Sequence, residues 1–165
     1  MLELLVFYGL LSLPVIAGMA YGIRLYLKMK NNPGTARSTP VIHKNFDGFM
    51  DFLRDREIGG VALSPKRFCD VFNIDLQTLA AQAHVHPSTL KHAPASESVQ
   101  RFLRETLRVI RAATDLSGDV EKALFWYRNE PLQLFQYKTA EQLVSEGRTD
   151  DLLRYIASLE DGVVG

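Results

Sequence analysis

The chain of 165 residues has one cysteine, Cys69. No intrachain disulfide can form, and a reducing compartment is the simple reading. Cys69 sits in an apolar helical pattern with Phe68 and Phe72, where a thiol behaves as a small buried hydrophobe. There is no glycine-rich phosphate loop, no nucleophile motif, and no pair of carboxylates in an evident pocket setting. Asp150-Asp151 falls at a helix start, where it suits the positive end of the helix dipole with Thr149 as N-cap; Glu160-Asp161 falls at a helix end. The expectation is therefore a protein without catalytic residues or cofactor. His84, His86 and His92 surround one turn, but a zinc site needs three or four convergent ligands, usually with a clear Cys and His spacing, and no cysteine is near. They read as solvent-facing turn residues, and no metal site is expected.

Charge is missing from one long stretch. Leu4 to Ile23 is a run of 20 residues with none, and a helix of that length spans about 30 Å, the hydrocarbon thickness of a bilayer. Phe7 and Tyr8 flank one end and Tyr21 and Tyr26 the other, as interfacial aromatics do. No Lys or Arg precedes the run, whereas Arg24, Lys28 and Lys30 follow it at once. A signal peptide lacks its basic n-region here. The positive-inside rule gives a single-pass anchor with the C-terminal body in the cytoplasm. Gly18 and Gly22 form a GxxxG spacing through which two such helices can pair as a homodimer. Two alternatives are an apolar helix packed on the body and a translation start at Met29, which would leave the protein cytoplasmic.

Net charge is zero but unevenly spread. Residues 24–118 hold 14 basic and 9 acidic residues, and residues 119–165 hold 5 and 9, so a basic middle meets an acidic end. That pattern suits two different partners.

Beyond the first 30 residues, Asn31 to Asn45 has linker composition, with Asn-Asn-Pro-Gly and Ser-Thr-Pro. Phe46, Phe49, Met50 and Leu53 recur at helical spacing and predict a helix over Phe46–Arg56, ended by Gly59-Gly60. Ser64-Pro65 opens another, with Phe68, Val71 and Phe72 inward. Asp75 is placed to cap a helix over Leu76–Ala83, and after His84-Val85-His86 a third begins at Pro87. The spacing is that of a helix-turn-helix, with Ala80 or Ala81, Val85 and Leu90 as its small and apolar anchors. Side chains that would reach DNA are His86, Ser88, Thr89, Lys91 and His92, a set with no Arg, Asn or Gln for bidentate base contacts. A long helix follows from Ser96 to Leu116. On it Arg101, Arg104, Arg108 and Arg111 fall within an arc of about 80° opposite the apolar face, and they can supplement phosphate attraction.

The last third carries the most ordered set of local signals: the helical run Ala123 to Arg128, Pro131, the capping box Thr139-x-x-Gln142, Gly147-Arg148, then Leu153, Ile156 and Gly162. Taken with the helix-turn-helix pattern upstream, this stretch resembles the toxin-binding domain of the Xre/MbcA/ParS antitoxins. It departs from that pattern at Glu130-Pro131-Leu132, Phe135-Gln136-Tyr137 and Thr139-Ala140. The resemblance implies an all-α body: an Xre-like region over 46–118 and a three-helix toxin-binding domain over 119–165. It implies a non-enzymatic antitoxin whose partner is a toxin, commonly of the NAD-consuming RES type, encoded next to it, and which can also bind operator DNA. Trp126, Arg128, Gln133, Gln136, Arg148 and the terminal Val163, Val164 and Gly165 are the candidate toxin-contacting residues. A DNA-binding regulator without a toxin and a membrane-tethered adaptor are the rivals.

Overall fold

A computed structural model describes residues 45–54 and 62–163. The expected anchor at 4–23, the linker up to residue 44, Gly59-Gly60, Val164 and Gly165 lie outside the described residues. Within them the fold is all-α: α1 Phe46–Leu53, α2 Pro65–Phe72, α3 Leu76–Gln82, α4 Pro87–His92, α5 Glu97–Ser117, α6 Val120–Asn129, α7 Ala140–Ser145 and α8 Thr149–Val163. A one-turn 3₁₀ helix, Gln133–Phe135, precedes α7, and two isolated bridges, Arg54 with Leu63 and Leu132 with Lys138, are the only β pairing among the described residues. None of these helices is long and apolar enough to cross a membrane.

Local chemistry accounts for most boundaries. The Asp75 carboxylate accepts the Thr78 amide at 2.6 Å and starts α3. Thr139 and Gln142 close a reciprocal capping box on α7. Gly118 (φ 71°) and Gly147 (φ 75°) take the left-handed conformation that ends α5 and turns the chain after α7. Helix α1 stops at Leu53, short of the expected Arg56, because Arg54 turns extended and pairs with Leu63. Arg67 then closes that end, donating to the Phe52 and Arg54 carbonyls at 3.0 and 2.7 Å. Thr149 is not the cap of α8 but its first helical residue, since the Leu152 amide already bonds to the Arg148 carbonyl.

The 21-residue α5 is the centre of the body, with α6 and α8 packed most extensively against it. Its face of Val99, Leu103, Leu107, Ile110 and Ala113 is buried, as the 3.6-residue period requires. Phe68 and Phe72 stack at 4.1 Å, and Phe72 meets Tyr127 edge-on at 5.8 Å. One continuous hydrophobic core runs from Phe49 to Ile156, across the 118/119 boundary. Polar side chains are built into it. Gln100 holds residue 63 from both sides, accepting the Leu63 amide and donating to the Leu63 carbonyl, each at 2.9 Å, and also donates to the Pro94 carbonyl at 2.8 Å. The Thr106 and Tyr127 hydroxyls meet at 3.3 Å, and burial pushes the Tyr127 phenol far above its ordinary pKa. Cys69 is buried as well, and burial first, then Asp70 and Asp75, raise its thiol to about 11.

Candidate partner-binding site

Helix α6 ends because Glu130 precedes Pro131 and turns extended. The chain then closes a tight loop over 132–138. Leu132 is buried and anchors both ends: its amide donates to the Lys138 carbonyl at 2.9 Å, and its carbonyl accepts the Phe135 and Tyr137 amides at 3.0 and 2.9 Å. Outside this ring, Lys138 pairs with Glu146 at 2.7 Å. Phe135 lies edge-on to Tyr155 at 5.7 Å, and the Arg148 guanidinium sits 5.1 Å over its ring. Burial raises the carboxyl pKa of Glu130, and burial with the Glu130 charge raises the phenol pKa of Tyr155.

Two consecutive residues of the loop, Gln136 (φ 58°) and Tyr137 (φ 62°), are left-handed without being glycine. That conformation costs an L residue roughly 1–2 kcal/mol and persists only where the surroundings over-determine it. Its result is a display. Leu134 and Tyr137 are 77% and 67% exposed, and they are the exposed large hydrophobics among the described residues.

Of the expected toxin-contacting residues, Gln133, Gln136 and Arg148 meet at this loop. Gln133 and Gln136 are exposed on it. Arg148 is half-buried beneath it, with its Nε 2.9 Å from Asp151, whose carboxyl this bond holds below the ordinary range. Arg128 is half-buried 4.0 Å from Glu141, and its Nε has no hydrogen-bond partner. Trp126 is placed differently: it is a core residue, 7% exposed. Val163 is the last residue of α8. Leu134 and Tyr137 escaped the sequence reading; their signal was an apolar residue flanked by Gln133 and followed by Phe-Gln-Tyr, off any helical period.

The DNA-directed set is scattered by comparison. His86 caps α4, its Nδ1 accepting the Ser88 amide at 3.2 Å and lying 2.7 Å from the Ser88 hydroxyl. Thr89 is half-buried, whereas Ser88, Lys91 and His92 are exposed. On α5, Arg104 pairs with Glu97 at 2.6 Å, Arg108 with Glu105 at 2.9 Å and Asp150 at 3.3 Å, and Arg111 with Asp115 at 3.0 Å. The expected open arginine stripe is thus largely paired, with Arg101 exposed at its start. His84 is not a purely solvent-facing turn residue: it takes a left-handed backbone (φ 53°) and its Nε2 lies 2.8 Å from the Ser145 carbonyl. Ser145 returns a bond to the Gln82 carbonyl at 3.0 Å, so the turn after α3 is fastened to the end of α7. Among the described residues no group of three or more His, Cys, Asp or Glu is placed to hold a metal ion. No family model, no curated protein and no solved structure matches this chain.

Proposed function

We propose that this chain is an antitoxin-like protein without catalytic activity, which binds and neutralises a toxin through its 119–165 region. The partner is a toxin encoded beside it, of RES type on the resemblance described above. Contact centres on the 132–138 loop, with Leu134 and Tyr137 as anchors and Gln133 and Gln136 around them. The observation that carries this reading is the strained, internally braced loop with its two large apolar side chains in solvent. A monomeric surface seldom spends backbone strain on exposing such residues unless a partner covers them. An aromatic anchor on a rigid loop is also the usual form of a binding hot spot, where truncation costs about 2 kcal/mol or more, roughly thirtyfold in affinity.

Co-expression with the adjacent reading frame, followed by affinity capture, tests the proposal. The wild-type chain should retain the partner, and Leu134→Ser with Tyr137→Ser should weaken the complex at least tenfold without changing the melting temperature. Absence of a complex, or a complex indifferent to both substitutions, refutes it. Surface variants are the sound test because deleting 119–165 would remove a large part of the one shared core.

A second activity is favoured by α4, which buries Leu90 and leaves Ser88, Lys91 and His92 in solvent. In this reading α3 and α4 form a helix-turn-helix that binds operator DNA. A salt-dependent gel shift of the protein's own promoter fragment, lost in Lys91→Glu, supports it; no shift at low salt refutes it. Residues 4–23 are read as a single-pass inner-membrane anchor with the body in the cytoplasm, and recovery of the native protein wholly in the soluble fraction refutes that.

A further inference from the structure

The end of α6 carries a carboxylate that the fold does not use. Glu130 is the C-cap of α6. There the unbonded carbonyls of the last turn form the negative end of the helix, which favours a cation and not a carboxylate. Glu130 is half-buried, and its amide bonds back to the Trp126 carbonyl at 3.1 Å. Its carboxylate has neither an ion pair nor a hydrogen bond among the described residues.

The neighbouring ions are matched. Arg128 faces Glu141 at 4.0 Å, Lys138 holds Glu146 at 2.7 Å, and Asp151 takes both Arg148 and Arg154. Burial alone raises the pKa of the Glu130 carboxyl, and no cation stands near enough to hold it down. The Glu130 charge is felt by Tyr155, whose ring meets Phe135 of the 132–138 loop. Four residues of chain place Glu130 within about 14 Å of Leu134. One side of a standard interface covers about 800 Å², a patch of roughly 16 Å radius, so a partner seated on Leu134 and Tyr137 also covers Glu130.

We propose that the toxin presents a cationic side chain, Lys or Arg, to Glu130 as it covers Leu134 and Tyr137. This rests on the 132–138 loop being the contact, and it adds the chemistry of the surface opposite. Covering the loop strips the remaining water from the carboxylate. A buried carboxylate left uncompensated is expensive, so a surface without a cation in register binds weakly. The apolar pair supplies the anchor, and the charge beside it rejects apolar surfaces that lack a matching cation and steers the encounter. The acidic balance of residues 119–165, 9 against 5 basic, has the same sign.

The full chain and the product of the adjacent reading frame are purified as a complex, separated and reassembled, and the affinity is measured with each variant. Glu130→Gln should weaken binding at least tenfold, and Glu130→Lys should weaken it further by repulsion. Both should leave the melting midpoint of the free chain unchanged or raised, because the fold loses an unpaired carboxylate at the wrong end of a helix. Raising salt from about 50 to about 300 mM should weaken the wild type more than Glu130→Gln. A Glu130→Gln variant that binds as well as wild type overturns the proposal, since the carboxyl is then buried neutral or left outside the contact. A Glu130→Lys variant that binds more tightly also overturns it and assigns an acidic surface to the partner. So does a lowered melting midpoint in Glu130→Gln, which would make the carboxylate part of the fold. If Leu134→Ser with Tyr137→Ser still weakens the complex in any of these cases, the loop stands as the contact and only the charge pairing falls. Absence of any complex removes both.

Discussion

If the 132–138 loop stores backbone strain, relieving it at one position must stabilise the fold. Gln136 is the cleanest place to ask. It sits at φ 58° and ψ 37°, its side chain is exposed, and its amide bond to the Gln133 carbonyl at 3.2 Å needs no side chain. Glycine removes the Cβ clash of the left-handed conformation, a relief of roughly 1–2 kcal/mol. It also frees the unfolded chain, which takes back roughly 0.5–1 kcal/mol. Gln136→Gly should therefore stabilise by about 0.5–1 kcal/mol, and at about 2–4 °C per kcal/mol for a chain of this size the melting midpoint rises by about 1–4 °C. Gln136→Val must do the opposite, because a β-branched residue is a genuine outlier at positive φ; a loss of about 1 kcal/mol or more is expected. Urea unfolding followed by far-ultraviolet circular dichroism reads both, with the denaturant slope serving as a check that the unfolded state is unaltered. A destabilised glycine variant, or a valine variant equal to wild type, would show that the loop is not strained and would remove the main support for the partner site. The glycine variant should also bind its partner severalfold more weakly despite its stability, since preorganisation is lost.

Other consequences concern the interior. Gln100→Leu strands the Leu63 amide and carbonyl and the Pro94 carbonyl, so a loss of about 2–4 kcal/mol is expected in chemical denaturation, and less than about 1 kcal/mol would contradict the clamp. Tyr127 has a folded pKa raised above its unfolded value of about 10; its contribution is full below pH 10 and is lost as pH rises above it, at about 1.4 kcal/mol per unit. Tyr127→Phe should remove that much slope from the stability profile above pH 10 and cost about 1 kcal/mol at neutrality through the lost Thr106 bond; an unchanged alkaline slope would refute the assignment. Cys69, buried with its thiol raised to about 11, should react with a disulfide reagent at pH 8 at least about a hundredfold slower in the native chain than in urea, and comparable rates would mean the thiol is accessible.

Periodicity and caps made much of this fold legible beforehand. The expected range Ser96–Leu116 meets α5 to within a residue at each end, and Asp75, Gly118 and the Thr139–Gln142 box mark their boundaries through contacts only three or four residues long. Interactions without a local signature were not legible. Gln100 looks like any polar helix residue until Leu63, 37 positions away, folds against it. Arg108 reads as open cation because Asp150 is 42 residues downstream. Trp126 reads as surface or core with equal ease until the later helices cover it. The loop was hidden for a sharper reason: left-handed turns announce themselves through glycine or asparagine, and here Gln136 and Tyr137 occupy them instead.

The uninterrupted core across residue 118 bears on inheritance as much as on folding. Partner-recognition segments can be traded between proteins, but a crossover at Gly118 would separate α6 and α8 from α5, the helix they are built upon. A break before α5 spares that packing but parts Phe68 from Phe102, Phe72 from Tyr127 and Gln100 from Leu63. The piece that moves as a working whole is therefore the entire helical body from Phe46 onward, and recombination that keeps it functional should fall before α1.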